Sequence, residues 1–293
     1  MPRHPRVHAA GLLYHVIARG NNRQAIFTQH ADYDYFVKGL DATKARYPFL
    51  LYAYALMPNH LHLLMEVRAI PTARIMQSML TRYSRYFNRR CQRQGHVFQG
   101  RYRAIVCERD QYVLELVRYI HLNPVRAQLA ERPSDWPWTG HGEYLGRTTR
   151  RLIDPGPLTG MFESPRAYER FVRDGVSDGY RPEWHPGEDR PFLGSADFAD
   201  ALRRRPASET KPRALRSLDA LLAEVAADRG VSPQAVRRGD KRTSLVGARE
   251  RFVVQAVEDE GHSPSAVARF LSCHPSSVTR ALRRGTDDPP QAT

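Results

Sequence analysis

The feature that most restricts the fold is a pair of apolar, β-rich runs separated by two residues. The first run is Phe49 to Met57, the second is Leu61 to Val67, and Pro58-Asn59 lies between them. Two such runs on either side of a short Pro-Asn segment predict an antiparallel hairpin. Because side chains alternate along a strand, Leu61 and Leu63 are expected to face the core. His60 and His62 are expected to lie on the opposite face.

The segments around this hairpin alternate between strand and helix patterns. Strands are predicted at residues 14–20 and within 97–107, and helices at residues 31–46, 72–91 and 110–121. Asp110 is the expected N-cap of the last helix, and Pro124 is expected to close or bend it. The order β-α-β-β-α-β-α predicts an α+β protein with a ferredoxin-like antiparallel sheet on which the helices pack.

Composition divides the chain into five segments. Residues 1–130 are the predicted first domain, and residues 131–202, rich in Pro, Gly and Trp, are its predicted irregular extension. The polar, Pro-containing residues 203–216 are the predicted linker. Residues 217–286 are expected to form a compact helical domain, and residues 287–293 a disordered tail.

The composition also argues against membrane and secreted proteins. The chain has 293 residues with no apolar run of eighteen or more, so a transmembrane helix is not expected. The N-terminus lacks the apolar stretch and cleavage site of a secretory signal. Cys91, Cys107 and Cys273 are unevenly spaced and predict neither a disulfide framework nor a zinc site. A reducing, cytoplasmic compartment is therefore expected.

Positive charge is concentrated in two segments. The formal net charge is +14 for the chain and +12 for residues 1–130, whereas residues 151–200 carry −4 and residues 201–293 carry +6. A concentrated positive field is expected of a nucleic-acid-binding protein, because neutralised phosphates release counterions. A coding bias that favours Arg over Lys is the alternative, since Arg dominates the basic residues.

Two histidines share the face of the second hairpin strand that is opposite Leu61 and Leu63. His60 and His62 are two residues apart, so both imidazoles project from the same face of the predicted strand. Two imidazoles on one strand can supply neighbouring ligands to a divalent cation. Alone, the pattern fits two surface histidines at least as well.

A tyrosine and an asparagine share a face of the last predicted helix. Tyr119 and Asn123 are four residues apart, which is about one turn. Tyrosine can act as a covalent nucleophile, and an asparagine amide oxygen can bind a metal ion that stabilises charge on a phosphodiester. The simpler alternative is a core aromatic residue and a helix C-cap before Pro124.

Several motifs in a fixed order resemble one family. They are Arg19-Gly-Asn-Asn-Arg23, His60-Leu-His62 after Met57-Pro-Asn59, Phe98-Gln-Gly-Arg-Tyr102, Tyr119-Ile-His-Leu-Asn-Pro124, and Asp135-Trp-Pro-Trp138 leading to Tyr144-Leu-Gly146. This combination resembles the single-tyrosine HUH transposases, and within them the REP-associated tyrosine transposases. The resemblance covers about residues 8–200. It implies that two histidines and an amide bind Mg²⁺ or Mn²⁺, and that a tyrosine cleaves single-stranded DNA, leaving a 5′-phosphotyrosine link and a free 3′-OH.

The resemblance assigns roles to particular residues of this chain. His60 and His62 are implied metal ligands, Asn123 is the third ligand, and Tyr119 is the nucleophile within the catalytic domain of residues 1–130. Tyr112 is the competing nucleophile, on a similar helix face but without an asparagine four residues on. Glu66 and His121 are candidates for groups that orient the ligands.

Candidate DNA-binding residues lie in three places of the first domain. They are Arg19, Asn21, Asn22 and Arg23 after the first strand, Arg82 and Arg85 on a helix that interleaves Arg with Tyr, and Arg101 and Tyr102 before the last strand. Guanidinium groups and amides bind phosphates and bases, and aromatic rings stack on exposed bases. A solvated turn and a buried aromatic stripe are the alternatives.

The C-terminal domain carries a helix-turn-helix pattern. A short helix from Ser263, a turn at Ser272 to His274 and a second helix from Pro275 are predicted, and the second helix would enter a major groove. Its outward polar residues are Ser276, Ser277, Thr279 and Arg280. From about Leu218 the chain resembles the duplex-binding C-terminal domain of the replication initiator DnaA. A helical packing or oligomerisation module is the alternative.

The leading hypothesis is a metal-dependent transposase that nicks and joins single-stranded, hairpin-forming repeats at the nucleoid of a bacterial cell. The C-terminal domain would bind duplex DNA in the same protein. The main alternative is a non-catalytic, sequence-specific DNA-binding regulator that keeps the fold, and a third is a domesticated nuclease. The target repeat, the choice of divalent metal, and whether the protein is a monomer or homodimer stay open at this point.

Overall fold

The computed structural model describes residues 9–178, 192–204, 215–239 and 242–284. The chain forms two compact units, Met1–Thr210 and Lys211–Thr293, each with a hydrophobic core of its own. The division falls within residues 203–216, the predicted linker, although residues 205–214 and the predicted tail lie outside the described residues. No helix in the described parts of the chain is long and apolar enough to cross a membrane.

The first unit is built on a sheet of five strands. They are β1 (Leu13–Arg19), β2 (Phe49–Met57), β3 (His60–Val67), β4 (Arg103–Cys107) and β5 (Phe192–Leu193). The order is β2-β3-β1-β4-β5, and all neighbours are antiparallel except β4 and β5. The first four strands have the split βαβ order, so the predicted α+β, ferredoxin-like fold is confirmed. The short parallel strand β5 was not predicted.

Three long helices accompany the sheet, α1 (His30–Arg46), α2 (Thr72–Arg90) and α3 (Arg109–Arg126). The prediction for α3 was wrong at both ends. Glu108, not Asp110, is the N-cap residue, and its carboxylate accepts hydrogen bonds from Ser195 next to β5. Pro124 does not close α3, which continues for two more residues.

A side chain compensates for the proline in α3. Pro124 has no N–H to donate to the carbonyl of Ile120, four residues earlier. The Asn123 Nδ2 donates to that carbonyl oxygen over 3.4 Å and to the carbonyl oxygen of Tyr119 over 3.2 Å. The helix therefore tolerates Pro124, and the same hydrogen bonds fix the amide of Asn123.

The predicted irregular extension covers the outer edge of β2. The Leu56 N–H donates to the Trp138 carbonyl, the Gly140 N–H donates to the Tyr54 carbonyl, and the Leu51 N–H donates to the Asp154 carboxylate. The extension also contains the helices α4 (His141–Tyr144), α5 (Gly156–Thr159), α6 (Pro165–Asp174) and α7 (Ala196–Arg204). An uncovered edge strand has unpaired backbone groups. The extension supplies hydrogen-bond partners for those of β2 and therefore completes the sheet at this edge.

A buried cluster joins α3 to this extension. The Tyr168 hydroxyl lies 2.6 Å from Nδ1 of His121 and 3.2 Å from Nδ1 of His141. Burial lowers the pKa of His141 to about 4, with Arg147 acting in the same direction and Glu169 against it. His141 is therefore neutral in the folded protein at neutral pH.

We expect the first unit to lose stability as the pH falls from about 6.5 to about 4. Over this range the unfolded His141 binds a proton that the folded one does not, which costs about 1.4 kcal/mol per pH unit and on the order of 3 kcal/mol in total. Urea unfolding followed by tryptophan fluorescence measures this unit, because every tryptophan lies before residue 185. His141→Gln should remove this part of the pH dependence. The exposed His96→Gln is the control and should leave it unchanged.

The second unit is entirely helical in its described residues. It contains α8 (Leu218–Asp228), α9 (Pro233–Arg238), α10 (Thr243–Val254), α11 (Pro264–Phe270) and α12 (Pro275–Arg284), with a π-helical turn after α10. Helices α11 and α12 occupy the two predicted helical segments. The turn between them contains Ser272 in the left-handed region, with φ of 49°.

Candidate active site

A cavity of about 790 Å³ opens beside β1 and β3 and extends to the C-terminal half of α3. It is lined by Ile17, Arg19, Met57, His60, His62, Gln99, Arg101, Arg103, Tyr119, Asn123, Arg126 and Ala127. Strand register explains part of this set, since Arg19 faces His60 and Ile17 faces His62 across the β1–β3 pair. Directly opposite residues of an antiparallel pair share a sheet face. The structure thus places both histidines, the tyrosine and the asparagine of the sequence motifs around one space.

His60 is held by the residue before it. Its Nδ1 lies 2.6 Å from Oδ1 of Asn59, and the Asn59 Nδ2 donates to the carbonyl oxygen of Arg23. An amide oxygen only accepts hydrogen bonds, so the His60 Nδ1 must carry the proton. The neutral imidazole of His60 consequently has its lone pair on Nε2. This nitrogen is the one that can coordinate a metal ion or accept a proton.

His62 is buried and is paired with a third histidine. Only 3% of His62 is exposed, and its Nδ1 lies 2.9 Å from Nε2 of His15 on β1. The His60 and His62 rings are 5.0 Å apart between centroids, and the His15 and His62 rings stack at 5.2 Å. No sequence motif pointed to His15.

Tyr119 lies against these imidazoles from the α3 side. Its ring centroid is 6.3 Å from those of both His15 and His62, in edge-on geometry. The Arg126 guanidinium carbon is 4.9 Å from the centre of the Tyr119 ring, and its Nη1 donates to the Tyr119 carbonyl oxygen. A cation over an aromatic face is attracted to it, and more so if the phenol carries negative charge.

Asn123 lines the cavity, and its side-chain nitrogen is engaged within α3. Because its Nδ2 is used by the carbonyls of Tyr119 and Ile120, the amide oxygen is the atom left for a ligand in the cavity that Asn123 lines. Amide oxygen is a suitable donor for hard divalent cations.

The side chains of His60, His62 and Asn123 are of types that could hold a divalent metal ion. The candidate ligand atoms are Nε2 of His60, Nε2 of His62 and the side-chain oxygen of Asn123. The Nδ1 atom of each histidine already takes part in a hydrogen bond. Among the residues that the structure describes, no group of three His, Cys, Asp or Glu side chains is arranged to hold a metal. A metal here would therefore depend on the asparagine and on oxygen atoms from substrate or water.

The cavity is strongly basic. Arg19, Arg101, Arg103 and Arg126 line it, and none of its lining residues in the described chain is acidic. Arg19 and Arg101 were predicted as DNA-binding residues. The other predicted residues of the first unit, Asn21, Asn22, Arg23, Arg82, Arg85 and Tyr102, do not line this cavity.

The turn after β1 nevertheless lies close to the histidine strand. The Gly20 N–H donates to the Asn59 carbonyl, and the Ile26 and Phe27 N–H groups both donate to the Pro58 carbonyl. A Cβ on Gly20 would lie 2.1 Å from the Gln24 carbonyl oxygen, so this turn requires glycine. Arg85 lines a separate recess of about 290 Å³ next to α2.

Three predicted residues lie away from the cavity. Tyr112 is partly buried against the core and is not a lining residue. Glu66 is at the other end of β3, where it accepts a hydrogen bond from Tyr52 and pairs with Arg109. His121 is in the buried cluster with Tyr168 and His141, where burial holds its pKa well below the usual value. Neither Glu66 nor His121 orients the cavity histidines.

The polar residues predicted on the second helix of the C-terminal pattern are exposed. They are Ser276, Ser277, Thr279 and Arg280. Val278 and Leu282 of the same helix are buried in the core of the second unit. Helix α12 therefore has a polar outer face available to a partner.

Comparison with known proteins agrees with the motifs. Residues 8–123 match a protein-family model described as Transposase IS200 like. This part of the chain is similar to the IS200-like transposases. A Haemophilus influenzae protein whose name places it among the REP-associated tyrosine transposases is 26% identical over 140 residues, which are 44% of this chain and 78% of that protein. The predicted resemblance to REP-associated tyrosine transposases is thereby confirmed.

A solved structure described as a REP-associated tyrosine transposase bound to a REP hairpin is 20% identical. It covers 53% of this chain and 92% of its own chain, with a TM-score of 0.42. The resemblance of the second unit to the DnaA domain stays a prediction.

Three polar residues at or beside the cavity were not predicted as site residues, namely His15, Gln99 and Arg126. One signal for His15 was available. His15 is four residues before Arg19 on the same strand, so the two side chains lie on one face of the sheet.

Proposed function

We propose that this chain is a metal-dependent endonuclease and strand transferase for single-stranded DNA that forms hairpins from repeat sequences. The observation that carries the proposal is the convergence of His60, His62, Tyr119 and Asn123 on one cavity lined by four arginines. A phosphodiester is the substrate that such a cavity suits, because guanidinium groups bind its oxygens and a tyrosine can attack its phosphorus. The similarity to a relative named for REP elements supports repeat DNA as the target.

In the proposed cleavage step, the Tyr119 oxygen forms a bond to phosphorus and the bond from phosphorus to the 3′ oxygen breaks. The phosphate stays on tyrosine as a 5′-phosphotyrosine, the phenol loses its proton, and the 3′ oxygen gains one. Joining is the reverse reaction, with a 3′-OH as nucleophile. The arginines neutralise the phosphate and hold it beside the phenol. A bound Mg²⁺ or Mn²⁺, held by His60, His62 and Asn123, would stabilise the charge on the transferring phosphate.

The proposal is tested by a search for the covalent product. The full chain is incubated with single-stranded DNA that contains an imperfect palindromic repeat, taken from the sequence beside its gene if one is found there, with Mg²⁺ or Mn²⁺. Denaturing gels detect a protein–DNA adduct. Mass spectrometry then identifies the linked peptide. A DNA-linked peptide containing Tyr119 supports the proposal. Tight hairpin binding without any adduct would favour the alternative, a DNA-binding regulator without catalytic activity.

For the second unit we propose binding to duplex DNA through α12. Its exposed Ser276, Ser277, Thr279 and Arg280 form a polar face on a helix that follows a short turn, as in helix-turn-helix proteins. The unit has its own core of buried residues from α8 to α12, so it can be studied as a fragment from Ser217 onward.

Arg280→Ala in this fragment should weaken binding to duplex DNA about tenfold at low salt and reduce the salt dependence by about one counterion. Filter-binding titrations at several salt concentrations measure both quantities. Arg229→Ala, an exposed arginine outside α11 and α12, is the matched control and should change affinity by less than about twofold. A fragment that ignores duplex DNA at low salt would make α12 a packing element instead.

A further inference from the structure

The recess of about 290 Å³ beside α2, called the α2 recess below, has two walls of different kinds. One wall is α2, which contributes Thr81, Ser84, Arg85 and Asn88. The last three follow Thr81 by three, four and seven residues, so all four lie in one stripe along the helix. The other wall consists of residues 95–98 and Gly100.

Backbone and side-chain hydrogen bonds hold both sides of the second wall. On the side of α2, the Asn88 Nδ2 donates to the Gly95 carbonyl oxygen over 2.9 Å. On the side of the sheet, the Gln99 N–H donates to the carbonyl oxygen of Arg19, the last residue of β1. The wall is therefore fixed to α2 at one end and to the end of β1 at the other.

The second wall also borders the active-site cavity. Gln99 and Arg101 line the cavity, whereas Phe98 and Gly100 line the α2 recess. The two spaces are thus neighbours that are separated by this short stretch of chain. Gly100 is exposed, and a Cβ built on it would have no protein atom within 4 Å. The space over Gly100 is consequently open to a DNA strand that passes from the cavity to the recess.

The chain around both spaces carries positive charge only. Residues 67–107 contain nine arginines and neither Asp nor Glu. These residues supply both walls of the α2 recess and also the cavity residues Arg101 and Arg103. None of the recess residues that the structure describes is acidic. Such a region attracts a phosphate chain, because no carboxylate nearby opposes the arginines.

The polar groups of the α2 recess match a phosphodiester. Phosphate oxygens accept hydrogen bonds, and the hydroxyl groups of Thr81 and Ser84 and the guanidinium group of Arg85 donate them. Serine, threonine and arginine side chains commonly contact DNA backbones. Phe98 is only 8% exposed, so a base cannot stack on the face of its ring. The recess therefore suits the backbone of a strand better than a base.

We infer that the α2 recess binds a phosphodiester of the substrate strand next to the one that is cleaved. The inference rests on the proposed function, which places the cleaved phosphodiester in the cavity. With one phosphodiester on each side of Gly100, the strand is held at two points, and the reacting phosphate is fixed in position relative to Tyr119.

The inference is tested by placing methylphosphonate linkages, which lack the phosphate charge, one at a time along the single-stranded part of the hairpin substrate. Filter binding to the full-length protein measures affinity. One linkage should couple to Arg85: its replacement should weaken binding about tenfold in the unmodified protein but less than about twofold further in Arg85→Ala. Arg101→Ala should show the same coupling to an adjacent linkage, which marks the cavity. Arg74→Ala is the control, since Arg74 is on α2 but outside the recess, and it should retain the full tenfold loss.

A second variant tests the recess without a change in charge. Thr81→Val combined with Ser84→Ala removes the two hydroxyl groups and should weaken binding about three- to tenfold, with coupling to the same linkage as Arg85→Ala. Thermal unfolding confirms that each variant is folded.

The inference is wrong if no linkage couples to Arg85 or to the two hydroxyl groups, even when the Tyr119 adduct forms. A loss of affinity caused by an abasic nucleotide at the coupled position, and not by the methylphosphonate, would assign the recess to a base against His96 and would also overturn it. If no adduct forms with any substrate, the proposed function fails. The coupling of Arg85 and Arg101 to adjacent linkages is a binding measurement and still decides the inference.

Discussion

Tyr119→Phe should abolish the covalent protein–DNA adduct, lowering its yield by at least about 10³-fold. The substitution removes only the hydroxyl that we propose as the nucleophile, and the ring that packs against His15, His62 and Arg126 is retained. Hairpin binding should therefore change by less than about threefold, because its main contribution comes from arginines on phosphates. Denaturing gels measure the adduct, and filter binding measures affinity.

Tyr112→Phe is the matched control for this experiment. Tyr112 is on the same helix and is also partly buried, but it does not line the cavity. We expect the adduct of this variant to form at nearly the normal rate. An adduct that persists in Tyr119→Phe and disappears in Tyr112→Phe would transfer the nucleophile to Tyr112 and would overturn the assignment made from the cavity.

His60→Ala and His62→Ala should each reduce cleavage by at least about 100-fold while leaving hairpin affinity within about threefold. The proposed metal loses one nitrogen ligand in each variant, whereas Arg19, Arg101, Arg103 and Arg126 are still present to bind phosphates. EDTA should reduce cleavage by the unmodified protein to a similar extent. Added Mn²⁺ should restore cleavage by the unmodified protein but not by the two variants.

Glu66→Gln is a suitable control, since Glu66 lies on the same strand but pairs with Tyr52 and Arg109 away from the cavity. Its cleavage rate should be close to normal. Cleavage by the unmodified protein that continues in EDTA would mean that these histidines are only structural.

The sequence was sufficient for the order of the first four strands and for four residues that meet in the cavity. Strand alternation placed His60 and His62 on one face, and helical spacing placed Tyr119 and Asn123 on one side of α3. It was insufficient for His15, because the contact with His62 depends on the pairing of β1 with β3, two segments that are 47 residues apart. Register between distant strands is not visible in local periodicity.

Predictions from residue type alone also failed at the two ends of α3. Proline usually ends a helix, yet α3 passes through Pro124 because the Asn123 amide hydrogen-bonds to the carbonyl that proline leaves without a donor. Asp110 was a reasonable N-cap by residue type, but the N-cap residue is Glu108, whose carboxylate binds Ser195 instead of capping the helix. Both contacts involve specific geometry that propensity does not encode.

The outer edge of β2 is covered by residues that are synthesised after it, so this edge is open for a time while the chain is made. Strands β1 to β4 and helix α3 are complete at residue 126, before Trp138, Gly140 and Asp154 have been made. At about 5–20 residues per second, the outer edge of β2 stays open for roughly one to six seconds while residues 127–154 are added. During that interval a second nascent chain can pair with the exposed backbone. Truncation at residue 130 would make this open edge permanent, so such a fragment should aggregate as it leaves the ribosome.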